Sequence, residues 1–310
     1  MPAMHTHMLT VPSPILLTGA TGFIGRRLTA RLAARHTGVA ALLHPDDPNP
    51  PPADVQIWRG DITDPTAVSH AVQAVRPALV IHLAAVGVAN TGLPFAKAMQ
   101  VNVGGIINLL AATREVGTVK RLMLTGTSYE YGARRSDDGL DPFNAYSASK
   151  TAAWAFARAA YNAWNIPTIW LRPFQVYGAG QHSRALIPAA IHAALTNTDF
   201  RMTAGQQQRD FIHVDDIVAG FMAAAVAPDI EGRALDLGTG TLHSIQEVVN
   251  LIWHLTGASG NILAGALPYR PGEVSAIPAD VSRTYNLTGW QAKIGLEEGL
   301  KQAIQSTGGP

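Results

Sequence analysis

Ile15-Leu16-Leu17-Thr18-Gly19-Ala20-Thr21-Gly22-Phe23-Ile24-Gly25 is the stretch that decides the fold. Residues 15–17 form a short apolar run, as a buried strand requires. Residues 26–35 then read as a helix, with Leu28 and Leu32 four apart on one face. Residues 39–43 read as a second buried strand. Strand, glycine turn, helix and strand make a βαβ unit. A glycine pattern that follows a strand and opens a helix is the context a dinucleotide site needs. Gly19, Gly22 and Gly25 each have a physical reason. The turn needs a residue without Cβ, the backbone must approach a pyrophosphate, and the helix must lie close to the strand. Phosphates then sit at a helix N-terminus, where unpaired N–H groups and the dipole favour anions. Gly19, Thr21, Gly22, Phe23, Ile24 and Gly25 are therefore expected to cradle a dinucleotide.

Outward from this unit, strands and helices alternate. Strands are predicted over 55–58, 78–83, 121–125 and 168–171, and helices over 94–116 and 146–164. Continuous apolar strands between helices predict a parallel sheet covered on both faces. After about residue 176 the texture changes. A helix is expected over 184–194 despite Pro188, another opening at Arg209–Asp216, a strand over 234–238, and helices over 244–255 and 296–305. The expected fold class is α/β: a Rossmann-type doubly wound parallel sheet with a smaller mixed α/β substrate-binding lobe. The expected divisions are an N-terminal extension, 1–13, a dinucleotide-binding domain, 14–176, and a lobe, 177–310, partly interleaved with the sheet.

The chain has 310 residues, 47% of them apolar, with a formal net charge of +1. That suffices for a large core. No basic run with interleaved aromatics points to nucleic acid. Cysteine is absent, which excludes disulfides, thiolate metal sites and a cysteine nucleophile, and no metal site is expected. Residues 1–14 lack the basic and apolar regions of a signal peptide, and Met4 and Met8 offer alternative starts. No uninterrupted apolar run of about 18 residues suggests a membrane span. The expected location is the cytoplasm.

Tyr146-Ser147-Ala148-Ser149-Lys150 carries the chemistry. On a helix, residues four apart project from one face. An ammonium beside a phenol favours the phenolate, so the pair is expected to exchange a proton with a substrate hydroxyl near neutral pH.

Together these stretches resemble the extended short-chain dehydrogenase/reductases, and within them the NAD-dependent epimerase/dehydratase family, over nearly the whole chain. The glycine spacing is similar to that family's Thr-Gly-x-x-Gly-Phe-Ile-Gly. The resemblance puts a third catalytic group in Thr125-Gly126-Thr127-Ser128-Tyr129-Glu130-Tyr131-Gly132, at Thr127, with Ser128 as the competing hydroxyl. It places Asp61-Ile62 at the adenine, Leu83-Ala84-Ala85 under the cofactor, and Asn102 as a prop for the sheet. Thr125, Phe174 and Val176 also fall beside the cofactor, with Tyr146 and Lys150. His44 stands where the family has the ribose-binding Asp. Without that carboxylate NADP is admitted, while Asp46 or Asp47 restores NAD if the loop shifts. NAD and NADP stay open.

Arg172-Pro173-Phe174-Gln175-Val176-Tyr177-Gly178-Ala179-Gly180-Gln181 is similar to the family's Arg-Pro-Phe-Asn-Val-Tyr-Gly motif, with Gln175 replacing Asn. Arg209 and Arg270 resemble the arginines that clamp a nucleotide diphosphate, by bidentate hydrogen bonds to phosphate. Residues 287–290 with 296–300 resemble a C-terminal packing signature. The resemblance implies a nucleotide-diphosphate sugar as substrate, with Ser128, Tyr129 and Gln175 near the sugar. The dehydratases of the family carry a Glu two residues after the Ser/Thr. Tyr129 stands there and Glu130 follows, which disfavours dehydration. Reduction of a 4-keto-6-deoxyhexose and 4-epimerisation share the remaining constellation. A dinucleotide-binding sensor without activity is the alternative of a different class. A homodimer through the 146–164 helix and the helix carrying Asn102 is also implied.

Overall fold

The structure is a computed structural model and describes residues 10–52, 55–88, 92–132, 139–269 and 276–309. Its centre is a seven-stranded sheet in which every neighbouring pair is parallel. The strands are β1 (Ile15–Thr18), β2 (Val39–Leu43), β3 (Gln56–Arg59), β4 (Leu79–His82), β5 (Arg121–Thr125), β6 (Thr168–Pro173) and, later in the chain, β11 (Ala234–Leu237). Their order is β11-β6-β5-β4-β1-β2-β3. The order reverses beside β1, so a crevice opens between the tips of β1 and β4. Open α/β sheets bind ligands at that place. All of these strands except the edge strand β3 are buried throughout.

Helices cover both faces. α1 (Phe23–Ala33) lies on one. α2 (Pro65–Val75), α3 (Phe95–Ala98), α4 (Gly105–Val116) and α5 (Ala145–Trp164) follow in chain order, and α4 packs between α2 and α5. Past β6 come the short β7 (Gln175–Tyr177), α6 (Leu186–Leu195), β8 (Phe200–Met202), β9 (Gln208–Arg209), β10 (Phe211–His213) and α7 (Val214–Val226), which packs on α1. After β11 come β12 (His243–Ser244), α8 (Ile245–Thr256), β13 (Ile262–Ala264), α9 (Val281–Thr288) and α10 (Leu296–Gln305). Tyr177, Ile187, Ile191, Val248, Ile252 and Leu300 build a separate apolar core here from α6, α8 and α10.

Several expectations shift for identifiable reasons. α1 begins at Phe23 rather than residue 26, so Gly25 lies inside its first turn. A Cβ on Gly25 would stand 1.9 Å from the Gly19 carbonyl oxygen, which explains a poor helix former there. α2 was not anticipated, although Asp64 caps it by accepting from Thr66 N and Pro65 opens it. α6 starts at Leu186, which puts Pro188 in the first turn, where its missing N–H costs no helical bond. Arg209 ends one short strand and Phe211–His213 form another, with Asp210 between them, and the helix opens only at Val214, capped by His213.

The run 94–116 is not one α-helix. A π-helical turn, Met99–Gly104, separates α3 from α4. Phe95–Val116 is long and on average apolar enough to cross a bilayer, but Lys97, Asn102 and Arg114 interrupt it and half of it is buried inside the fold.

Candidate active site

The glycine turn joins β1 to α1. Gly19 has φ +69°, and a Cβ there would meet the Ala84 backbone N at 2.6 Å. A Cβ on Gly22 would meet only the Gly19 carbonyl oxygen, at 3.3 Å. Gly19 therefore lets the loop after β4 close in, and Gly25 lets α1 close in. Gly22 keeps its surface bare toward the crevice. Gly22 is the N-cap of α1, with no side chain capping the first N–H groups and no acid in the first turn. This end is open to an anion.

A cavity of about 440 Å³ lies here, lined by Gly19, Thr21, Gly22, His44, Asp61 and Ile62, and by Leu83, Ala84 and Ala85. These nine expected residues are brought together. Thr18, Leu42, Leu43, Asp47, Gly60, Val86, Lys97 and Val101 line it as well, and of these only Asp47 was weighed from sequence. Phe23, Ile24 and Gly25 stand behind the turn rather than in the lining. Asp61 is held below the ordinary carboxylate range, chiefly by the Thr63 backbone N–H. His44 is half exposed, its Nε2 3.5 Å from Asp61 Oδ2 and its Nδ1 3.8 Å from Asp46 Oδ2. The bare glycine, the uncapped helix end and the apolar walls together fit a dinucleotide.

Asn102 is wholly buried and does not line the cavity. Its Oδ1 accepts from Val86 N at 2.9 Å, and its Nδ2 donates to Val86 O at 3.0 Å and Ser149 Oγ at 2.9 Å. It thus ties the loop after β4 to α5. Phe174 is buried against Tyr131, and Val176 sits in β7; neither lines the cavity.

Beside the cavity, at the tips of β4 and β5, the expected catalytic groups meet. Lys150 is buried, and its Nζ donates to Thr125 O at 2.8 Å. It lies 6.0 Å from the Tyr146 ring centroid. Burial pulls its pKa down to about 8, against a smaller upward pull from Glu130. Burial likewise pushes the Tyr146 phenol above its ordinary value, with Glu130 adding to the rise and a side-chain hydrogen bond with Thr127 opposing it. The expected lowering by the ammonium is not seen: the influence opposing desolvation is the Thr127 hydrogen bond. Thr127 is hydrogen-bonded to the phenol.

The loop after β5 is shaped by a capping box. Thr127 caps a 3-10 turn, Ser128–Tyr131, and the Glu130 carboxylate returns to accept from Thr127 N at 2.8 Å. Glu130 is fully buried and also accepts from Trp170 Nε1 and Arg172 Nε. Its carboxylate points inward, beneath the site. Tyr129 donates from its hydroxyl to Gln175 Oε1 at 3.4 Å, joining two of the expected sugar-side residues.

His82 was not singled out from sequence. It is fully buried at the end of β4, and its Nδ1 is 2.6 Å from Thr18 Oγ1. Burial, with Lys150 nearby, depresses its pKa to about 3, so the ring is neutral. Thr125 Oγ1 donates to His82 O, and Ala84 N donates to Thr18 Oγ1. Lys150, Thr125, His82, Thr18 and Ala84 thereby form a continuous line across the strand tips.

Arg209 is buried on β9, with Nη1 donating to Gln208 O at 2.7 Å. Its neighbour Asp210 organises the lobe, accepting from Thr239, Gly240 and Ala279 backbone N–H groups. Arg270 lies outside the described residues.

Comparison with known proteins places this arrangement. A UDP-glucose 4-epimerase of Mycolicibacterium smegmatis is 28% identical, over 94% of this chain and 97% of that protein. A dTDP-6-deoxy-L-talose 4-dehydrogenase (NAD(P)(+)) of Kitasatospora kifunensis is 27% identical, over 96% and 97%. MoeE5, solved in complex with UDP-glucuronic acid and NAD, is 31% identical with a TM-score of 0.86, over 95% of this chain and 99% of that one. Residues 15–238, from the first residue of β1 through the glycine turn and the Thr127–Tyr146–Lys150 cluster to the residue after β11, match one family throughout. The chain belongs to the NAD dependent epimerase/dehydratase family.

Proposed function

We propose that the chain is an NAD(P)-dependent oxidoreductase acting at C4 of a nucleotide-diphosphate sugar. The observation that carries this reading is the meeting of Thr127, Tyr146 and Lys150 beside a cavity that fits a dinucleotide. The bound dinucleotide supplies hydride exchange. Thr127 orients the oxygen on sugar C4. Tyr146 holds its proton, because burial raises its pKa, and gives it to that oxygen. Lys150, fixed by the Thr125 carbonyl, supplies the positive charge behind the exchange. Gly19, Thr21, Gly22, Asp61, Ile62 and residues 83–85 hold the cofactor, supported by Asn102. Ser128, Tyr129 and Gln175 flank the sugar, and Arg209 with Arg270 meets the diphosphate. The segment from 177 onward serves mainly as the substrate lobe.

The first reading is reduction of a 4-keto-6-deoxyhexose. The protonated phenol favours a donor role, and one relative is named as a 6-deoxytalose 4-dehydrogenase. Dehydration would need a carboxylate at sugar C5, whereas Glu130 is committed to Arg172 and Thr127 N. The second reading is 4-epimerisation through a transient 4-ketone, in which Tyr146 first takes the proton. Asp47 in the cavity lining favours it, because a carboxylate there suits retained NAD.

The working unit is a homodimer. Phe95, Met99 and Ile107 from the Phe95–Val116 run, with Phe156 and Trp164 from α5, expose large apolar surface on helices that pack together.

Purified protein incubated with dTDP-4-keto-6-deoxyglucose and NAD(P)H, or with UDP-glucose alone, tests these readings. Net loss of NAD(P)H supports reduction. Inversion at C4 by NMR without net cofactor change supports epimerisation. Dinucleotide binding with neither reaction overturns both and leaves a sensor.

A further inference from the structure

β2 ends at Leu43, and the next residue, His44, has no carboxylate for a ribose. The chain then turns back. Asp47 N donates to His44 O at 3.0 Å, closing a turn over residues 44–47. Arg59, at the end of β3, fixes this turn from outside: its Nη1 donates to the carbonyls of His44, Pro45 and Asp47 at 3.2, 3.4 and 2.8 Å. The turn carries Asp47 to the glycine turn, where its Oδ2 accepts from Thr21 Oγ1 at 2.5 Å. Its Oδ1 accepts from Asn49 N and Nδ2 at 3.0 and 3.2 Å. Both Asp47 and Thr21 line the cavity, together with Gly22 and Asp61. Asp46, one residue earlier, does not line it; its side chain is 91% exposed.

We infer that Asp47, reaching back across the turn to Thr21, makes this site select NAD(H) over NADP(H). The inference rests on the reading that the cavity takes a dinucleotide. With phosphates at the N-terminus of α1 and adenine toward Asp61 and Ile62, the adenosine ribose runs past Thr21, His44 and Asp47. A carboxylate there accepts hydrogen bonds from free ribose hydroxyls and repels a 2′-phosphate. The bordering cations are already engaged by the protein. Arg59 serves three carbonyls, Arg26 Nε donates to Thr21 O at 3.4 Å, and Lys97 lies on the Asp61 side with Gln100. Three hydrogen-bond donors already fix the carboxylate, so it does not swing away from an incoming phosphate. The selecting group has thus moved from the strand's end to the far side of the turn.

Titration of the full chain with NADH and with NADPH, followed by cofactor fluorescence and by thermal shift, tests this. Wild type is expected to bind NADH roughly tenfold or more tighter, a modest share of the repulsion between like charges a few ångströms apart near a protein surface. Asp47→Asn keeps the size and a Thr21 acceptor but removes the charge. It should narrow the ratio to within about threefold, mainly by tightening NADPH. Asp46→Asn removes a charge from the same turn on its solvent side and should leave the ratio as in wild type. Equal binding of both dinucleotides by wild type overturns the inference, as does an unchanged ratio in Asp47→Asn or an equal shift in Asp46→Asn. Binding of neither dinucleotide sinks the cofactor reading itself and the inference with it.

Discussion

Arg172 Nε donates to Glu130 Oε2 at 2.8 Å in the interior, where the two side chains are 6% and 0% exposed. The pair fastens the loop that carries Thr127 to β6, because Glu130 also receives the Thr127 N–H. Arg172→Met leaves Glu130 charged and buried, which should cost about 3–5 kcal/mol by chemical denaturation. Glu130→Gln should lower stability, with turnover falling only as far as the folded fraction falls. Complete loss of turnover in a stable Glu130→Gln protein would mean that this carboxylate takes part in the chemistry.

Removal of one oxygen separates chemistry from binding. Tyr146→Phe should reduce turnover by roughly 10²–10⁴-fold, the usual worth of a positioned proton donor. Dinucleotide affinity should stay near wild type, since Tyr146 does not line the dinucleotide cavity. Steady-state rates beside a cofactor titration check both halves.

Acid sensitivity should trace to His82. Its folded pKa is about 3 against 6.5 for a free ring. Below about pH 6.5 the unfolded chain takes up a proton that the folded chain refuses, so stability falls with falling pH and levels off only near pH 3. The slope from this group approaches about 1.4 kcal/mol per pH unit. His82→Asn should flatten urea midpoints between pH 6.5 and 5 relative to wild type. Parallel curves for the two proteins would refute the assignment.

Two glycine substitutions should behave differently. Gly25→Ala places a methyl 1.9 Å from the Gly19 carbonyl oxygen, so backbone must move and the melting temperature should drop. The clash outweighs the roughly 1 kcal/mol that alanine gains in a helix. Gly22→Ala meets only the Gly19 oxygen, at 3.3 Å. It should fold normally while binding dinucleotide more weakly, as calorimetry would register.

The exposed apolar face predicts a homodimer that fails when charged. Phe156→Glu and Met99→Glu alter positions 48% and 45% exposed, so each monomer should fold. Light scattering should give a dimer for wild type and a monomer for the double variant. A monomeric wild type would refute the interface.

Much of this architecture is written locally. β2, β5 and α10 have the bounds that apolar patterning predicts, since a strand buried on both faces leaves a continuous apolar run. The glycine turn and the Tyr146–Lys150 spacing are equally local. Asp64-Pro65 is a start signal for α2 and was readable, as was the Thr127-x-x-Glu130 capping box. The π-helical turn was not readable, because its Asn102 engages Val86 and Ser149 from distant elements. Asp47 reaches Thr21 only through a turn fixed by Arg59 from another strand. Arg270 falls outside the described residues.

The sheet's last member, β11, is supplied by residues far beyond the Thr127–Lys150 cluster, and it pairs with β6 along Trp170–Pro173. During synthesis the cofactor-binding half therefore has an unfinished edge until Leu237 has left the ribosome. A polypeptide released just after β6 would present that bare edge to other chains, inviting aggregation. Closure of the central sheet thus waits until the chain has run well into the distal lobe, so the two halves cannot be separated at residue 176 without leaving that edge bare.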